Sequence, residues 1–172
     1  MVQLRGRTQI DLSEELYEQI LGDKTASLFR FATASGAELS GATPAQRAAL
    51  GAFGERLGIA FQLIDDVLDY TSTTTGKTIG ADLLEGKVTL PLVLAARENP
   101  EVIRGIERVR QGELDHVESV RQLVLATGAC ERVKRRALAE TDAALAELQI
   151  LEPNPARRLL AEIAHQVATR GR

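Results

Sequence analysis

From Asp11 to about Leu39 the apolar positions recur three and four residues apart, the spacing of one face of a helix. Asp11 followed by Glu14 has the form of a capping box, and Gly22-Asp23 predicts a break or bend that leaves Lys24-Thr25 at a joint. Gly36 and Gly41 predict its end. A second start is sharper: Thr43 as N-cap, Pro44 in the first helical position and Gln46 at the third. That helix is expected to run to about Tyr70, weakened by Gly51, Gly54 and Gly58. Thr71 to Gly86, rich in Gly and Thr, reads mostly as loop. A helix starts near Pro91 and stops at Asn99-Pro100. Three or four more are expected, over about 101–111, 113–127, 129–149 and 155–169. No alternating, strand-like pattern is sustained. The reading is all-α, one domain over 1–172, without internal repeats.

Composition agrees and narrows the function. Of 172 residues, 44% are hydrophobic and 3% aromatic, with no Trp, which suits helices packed on helices. The net charge of −3 argues against a nucleic-acid surface. One cysteine, Cys130, allows no internal disulfide, fits a reducing cytoplasmic setting, and reads as a small core residue. His116 and His165 are isolated and read as ordinary helix residues. No apolar run reaches the roughly 18 residues of a membrane span.

The segment Phe61–Tyr70, FQLIDDVLDY, breaks the pattern by placing three carboxylates among large apolar side chains. With Asp65 at zero and about 100° per residue, Asp66 falls at ~100°, Asp69 at ~40° and Gln62 at ~60°. One stripe therefore carries all four. A solvated acidic face is the bland explanation, but three like charges within one turn repel each other. A cation explains them better, and hard carboxylate oxygens suit Mg²⁺. Mg²⁺ is typically shared with substrate phosphates, which also need positive donors. Lys77 and Lys87 flank TIGADLLEG, whose glycines allow close backbone approach and whose Asp82 adds an acid. Lys24-Thr25 is a further candidate.

FQLIDDVLDY followed by GKTIGADLLEGKVTLPL resembles the second aspartate-rich motif of the trans-isoprenyl diphosphate synthases and its lysine-bearing loop. GDKTASLF resembles the family's upstream Lys-Thr element, and VQLRGR the segment just after its catalytic centre. The tail is similar to that of octaprenyl-type long-chain synthases. The resemblance covers essentially the whole chain.

It implies a helical bundle around a deep cavity, usually dimeric, that condenses isopentenyl diphosphate with an allylic diphosphate such as farnesyl diphosphate, using Mg²⁺. Carried over residue by residue, Asp65 is the main Mg²⁺ ligand, with Asp66 and Asp69 as ligands or support. Lys24, Lys77 and Lys87 hold diphosphate oxygens. Thr25 and Gln62 lie near the reacting carbons, and Phe61 lines the site. Nothing before Phe61 resembles the family's first aspartate-rich motif. The chain is therefore expected to be a C-terminal half that pairs with the missing half or forms a homodimer, since a lone half-bundle exposes apolar surface. The alternative is a non-catalytic regulatory subunit of a full-length synthase. A cyclase-like lyase fits the lysine loop and tail less well.

Overall fold

The computed structural model describes residues 12–72 and 80–170. Helices run over Glu14–Leu21 (α1), Ser27–Leu39 (α2), Pro44–Thr71 (α3), Ala81–Leu84 (α4), Leu90–Glu98 (α5), Pro100–Arg110 (α6), His116–Ala126 (α7), Ala129–Glu147 (α8) and Pro155–Thr169 (α9). No strand occurs among the described residues. Asp11, half of the expected first capping box, lies outside them. The cap that is seen is Ser13, whose Oγ accepts the Leu16 amide at 3.3 Å.

The chain forms two compact units. The first takes in the described part of Met1–Ile20 together with Asp65–Lys134; the second takes in Leu21–Ile64 and the described part of Arg135–Arg172. In the second unit, the joint expected at Gly22-Asp23 is a wide π-helical turn, Gly22–Ala26, that feeds α2 without interruption. Such turns insert an extra residue into the helical repeat and often carry function. The capping box of α3 is reciprocal: Gln46 N donates to Thr43 Oγ1 at 3.3 Å, and Thr43 N donates to Gln46 Oε1 at 3.0 Å.

The glycines of α3 serve packing. A Cβ on Gly54 would sit 2.5 Å from the Phe29 carbonyl oxygen, and one on Gly58 would sit 2.9 Å from Ala26 Cα. Their bare backbone lets α2 approach closely. Around that contact lies a core of Phe53, Leu57, Ala144, Leu148 and Ala164, with Phe29, Leu50, Leu145, Leu160 and Val167 against it. Along α2, Leu28, Phe31 and Leu39 are exposed.

In the first unit, Val67, Tyr70, Leu90, Leu92, Val93, Val102, Val120, Val124 and Val133 are buried, as is Cys130. Asn99 caps α6 by accepting the Glu101 amide at 3.0 Å, with Pro100 next in the chain. Gly105 brings α6 against α7, since a Cβ there would meet Val120 Cγ2 at 2.4 Å. No helix among the described residues is long and apolar enough to cross a membrane.

Candidate active site

α3 stays helical through the acidic turn, so Asp65, Asp66 and Asp69 take the stripe positions their spacing implies. Their environments differ. Asp66 is buried, whereas Asp65 and Asp69 are half-buried. Asp66 Oδ2 accepts the Tyr17 hydroxyl at 2.8 Å and the Leu90 amide at 3.4 Å. The Asp65 side chain makes no hydrogen bond or ion pair with a described residue.

Asp69 faces a second carboxylate. Gly80, at φ +73°, donates its amide to the Asp69 carbonyl at 3.3 Å and opens α4. The first turn of α4 then points the Asp82 amide at Asp69 Oδ2, 3.4 Å away. Burial, and next the Asp82 charge, push the Asp69 carboxyl up to about 6; the Asp82 and Ala81 amides and Lys87 oppose the rise.

Lys87 is placed by the end of α4. Gly86, at φ +70°, lets the chain turn back, so that Lys87 N donates to the Asp82 carbonyl at 2.8 Å. The ammonium then reaches Asp82 Oδ1 at 2.7 Å and Glu85 Oε2 at 2.8 Å. Those two carboxylates raise its pKa despite some desolvation. The first unit thus holds a run of charge from Asp69 to Asp82 to Lys87.

The second unit holds the other candidates. Thr25, in the π turn, donates its hydroxyl to Gln62 Oε1 at 3.1 Å. The two residues stand 37 positions apart in the chain. Lys24 is exposed beside Thr25. The Phe61 ring lies 5.7 Å from that of Phe29, tilted by 35°, and the Arg170 guanidinium stands over it at 5.3 Å. Lys77 lies outside the described residues.

Sequence reasoning missed Tyr17, the Leu90 amide and Arg170. Tyr17 reads as one more apolar position of an amphipathic helix, and no local pattern links it to an aspartate 49 residues on. Arg170 reads as ordinary tail charge.

The donors fit a hard divalent cation. They are carboxylate oxygens, and the mutual repulsion of Asp69 and Asp82 is what such a cation would relieve. Among the described residues no three His, Cys, Asp or Glu side chains converge as a ready-made metal cage. Mg²⁺ commonly takes only one or two carboxylates and completes its shell with water and phosphate. A small pocket lined by Leu12, Leu83, Leu92 and Ile106 beside Lys87 and Arg110 includes none of the three aspartates.

Residues 1–126 match the polyprenyl synthetase family. The chain belongs to that family. It is 40% identical over 177 residues to the octaprenyl diphosphate synthase of Escherichia coli, covering all of this chain and 55% of that protein. It is also 40% identical over 167 residues to the all-trans-nonaprenyl-diphosphate synthase (geranyl-diphosphate specific) of Rhodobacter capsulatus, covering 95% of this chain and 51% of the relative. Among solved structures, polyprenyl synthase from Caulobacter crescentus, complexed with calcium and isoprenyl diphosphate, superposes with a TM-score of 0.87 at 36% identity, over 98% of this chain and 53% of that one. The all-α fold is that of the isoprenyl diphosphate synthases. The chain spans about half the length of the curated relatives it matches.

Proposed function

We propose that this chain carries the second aspartate-rich half of a trans-polyprenyl diphosphate synthase, acting on isopentenyl diphosphate and an allylic diphosphate with Mg²⁺. The observation that carries this reading is the Asp69–Asp82–Lys87 run, with Asp65 next to it on α3: carboxylates for a cation adjoin a lysine for phosphate. Two named long-chain synthases at 40% identity, and a related structure that holds a divalent ion with a prenyl diphosphate, support the same chemistry.

Magnesium, when bound, neutralises the departing diphosphate. In this reading Asp65 and Asp69 hold it, and Lys24, Lys77 and Lys87 hold diphosphate oxygens as negative charge develops there. Thr25 and Gln62 hold a fixed polar pair near the reacting carbons, and Phe61 offers an aromatic wall. The carboxylates of the first motif come from a further segment, whether in the same polypeptide, in a partner or in a homodimer. The exposed Leu28, Phe31 and Leu39 support such a pairing. A cytoplasmic setting fits the single, buried thiol of Cys130.

The test is Mg²⁺-dependent incorporation of isopentenyl diphosphate onto farnesyl diphosphate, by the chain alone and with a family first-half segment co-expressed. We expect the complemented form to be active, and Asp65→Asn to lower kcat by about 10²–10³-fold. Inactivity in both forms, with stimulation of an added full-length synthase, would replace this reading with the regulatory one.

A further inference from the structure

We propose that Tyr17 is a positioning residue for the acidic turn, acting through Asp66, and that Asp66 is a buried brace and not a magnesium ligand. The inference rests on the diphosphate reading above and divides the labour within its motif. Asp65, Asp66 and Asp69 look alike in sequence. In the fold Asp66 is only 3% exposed, whereas its two neighbours are half-buried.

A buried carboxylate is costly unless hydrogen-bonded, and Asp66 has the donors it needs. The Tyr17 hydroxyl at 2.8 Å comes from a side chain that is itself 6% exposed. The Leu90 amide at 3.4 Å belongs to the first turn of α5, where backbone N–H groups lack helical partners and a negative charge is welcome. Asp66 therefore ties α1, α3 and α5 together through one oxygen, inside one compact unit. Mg²⁺ keeps several of its waters, and a side chain this enclosed leaves them no room.

The same enclosure gives Asp66 another task. Asp65 and Asp69 lie one turn apart on α3, so the rotation of α3 about its axis decides where both carboxylates point. A clamp on Asp66 fixes that rotation. Tyr17 is the half of the clamp that a side-chain substitution can remove without touching the motif.

The experiment is calorimetric titration of the full chain, co-expressed with the family first-half segment, with Mg²⁺ and inorganic pyrophosphate, for the wild type, Tyr17→Phe, Asp66→Asn, their double variant and Asp65→Asn. Thermal unfolding is recorded alongside. Tyr17→Phe keeps the buried ring, so it decides the matter if Asp66→Asn does not fold. We expect Tyr17→Phe and Asp66→Asn each to weaken binding by about 10-fold, the double variant to be no weaker than Asp66→Asn, and metal stoichiometry to stay unchanged in all three. Asp65→Asn should lose a metal ion. Loss of a metal ion in Asp66→Asn overturns the inference. So does a Tyr17→Phe protein that melts earlier but binds as tightly as wild type, or two single effects that multiply in full. A wild type that binds no Mg²⁺–pyrophosphate defeats the underlying reading, and this inference falls with it.

Discussion

The two compact units are held together by different means. The second is mostly apolar where its helices meet: Gly54 and Gly58 of α3 admit the backbone of α2, and Phe53, Leu57 and Leu148 fill the space alongside, with polar contacts such as Thr25–Gln62 and Arg56–Glu140 on its margins. The first buries polar groups. Asp66 sits between Tyr17 and the Leu90 amide, Tyr70 shares a 2.8 Å hydrogen bond with Thr89, and Arg121 Nε donates to the Tyr70 carbonyl at 2.8 Å. Apolar contact is insensitive to direction, so it suits a scaffold. Buried hydrogen bonds cost heavily when misaligned, which makes them expensive as glue and effective at fixing the orientation of a carboxylate.

The contrast is broken most forcefully at Gly54. A side chain there meets carbonyl backbone, which cannot swing aside, so Gly54→Val should cost about 3 kcal/mol in urea unfolding. A loss under 1 kcal/mol would mean that α2 is free to back away.

The first unit should instead respond to pH. Burial pushes the Cys130 thiol up to about 11 from 9.0, with Lys134 opposing. The fold therefore favours the protonated thiol while the unfolded chain ionises first. This contribution is complete below about pH 9 and is lost as pH rises toward 11, ~2 kcal/mol in all. Unfolding free energies of wild type and Cys130→Ala, compared from pH 8 to 10.5, should draw together by part of that amount. Parallel curves would show the thiol to be open to water.

The smallest effect has the opposite sign. A Cβ on Gly51 would lie 3.6 Å from Ala34 Cβ, an ordinary contact. Gly51→Ala should therefore gain about 0.5–1 kcal/mol from helix propensity alone. Any loss there would extend the close approach of α2 by a turn beyond Gly54.

The helices were legible because each boundary carried its own signal. Thr43-Pro44 with Gln46 starts α3 as its chemistry requires, and Asn99-Pro100 ends α5 where it was expected while opening α6. The π turn was not legible: Gly22-Asp23 reads as a break, and only packing decides whether a helix stops or widens. In the site, the acidic stripe followed from spacing, whereas no local pattern links Thr25 to Gln62, whose hydrogen bond spans 37 positions of the chain. What separates Asp66 from Asp65 could not be read. Burial depends on α1 and α5, which are remote in sequence, and a Tyr in an amphipathic helix gives no hint of where its hydroxyl ends.

The doubly paired Lys87 has a consequence for the order of ligand arrival. An anion that drew its ammonium away would leave Asp82 without a counter-charge beside Asp69, and a cation would then be welcome at that spot. A cation that arrived first would release the lysine to seek a new partner. On the proposed reading each visitor would raise the other's affinity, by the same factor in either direction. A cation and an anion would thus enter this turn more readily together than singly, because each relieves the charge that the other leaves on Asp82 or Lys87.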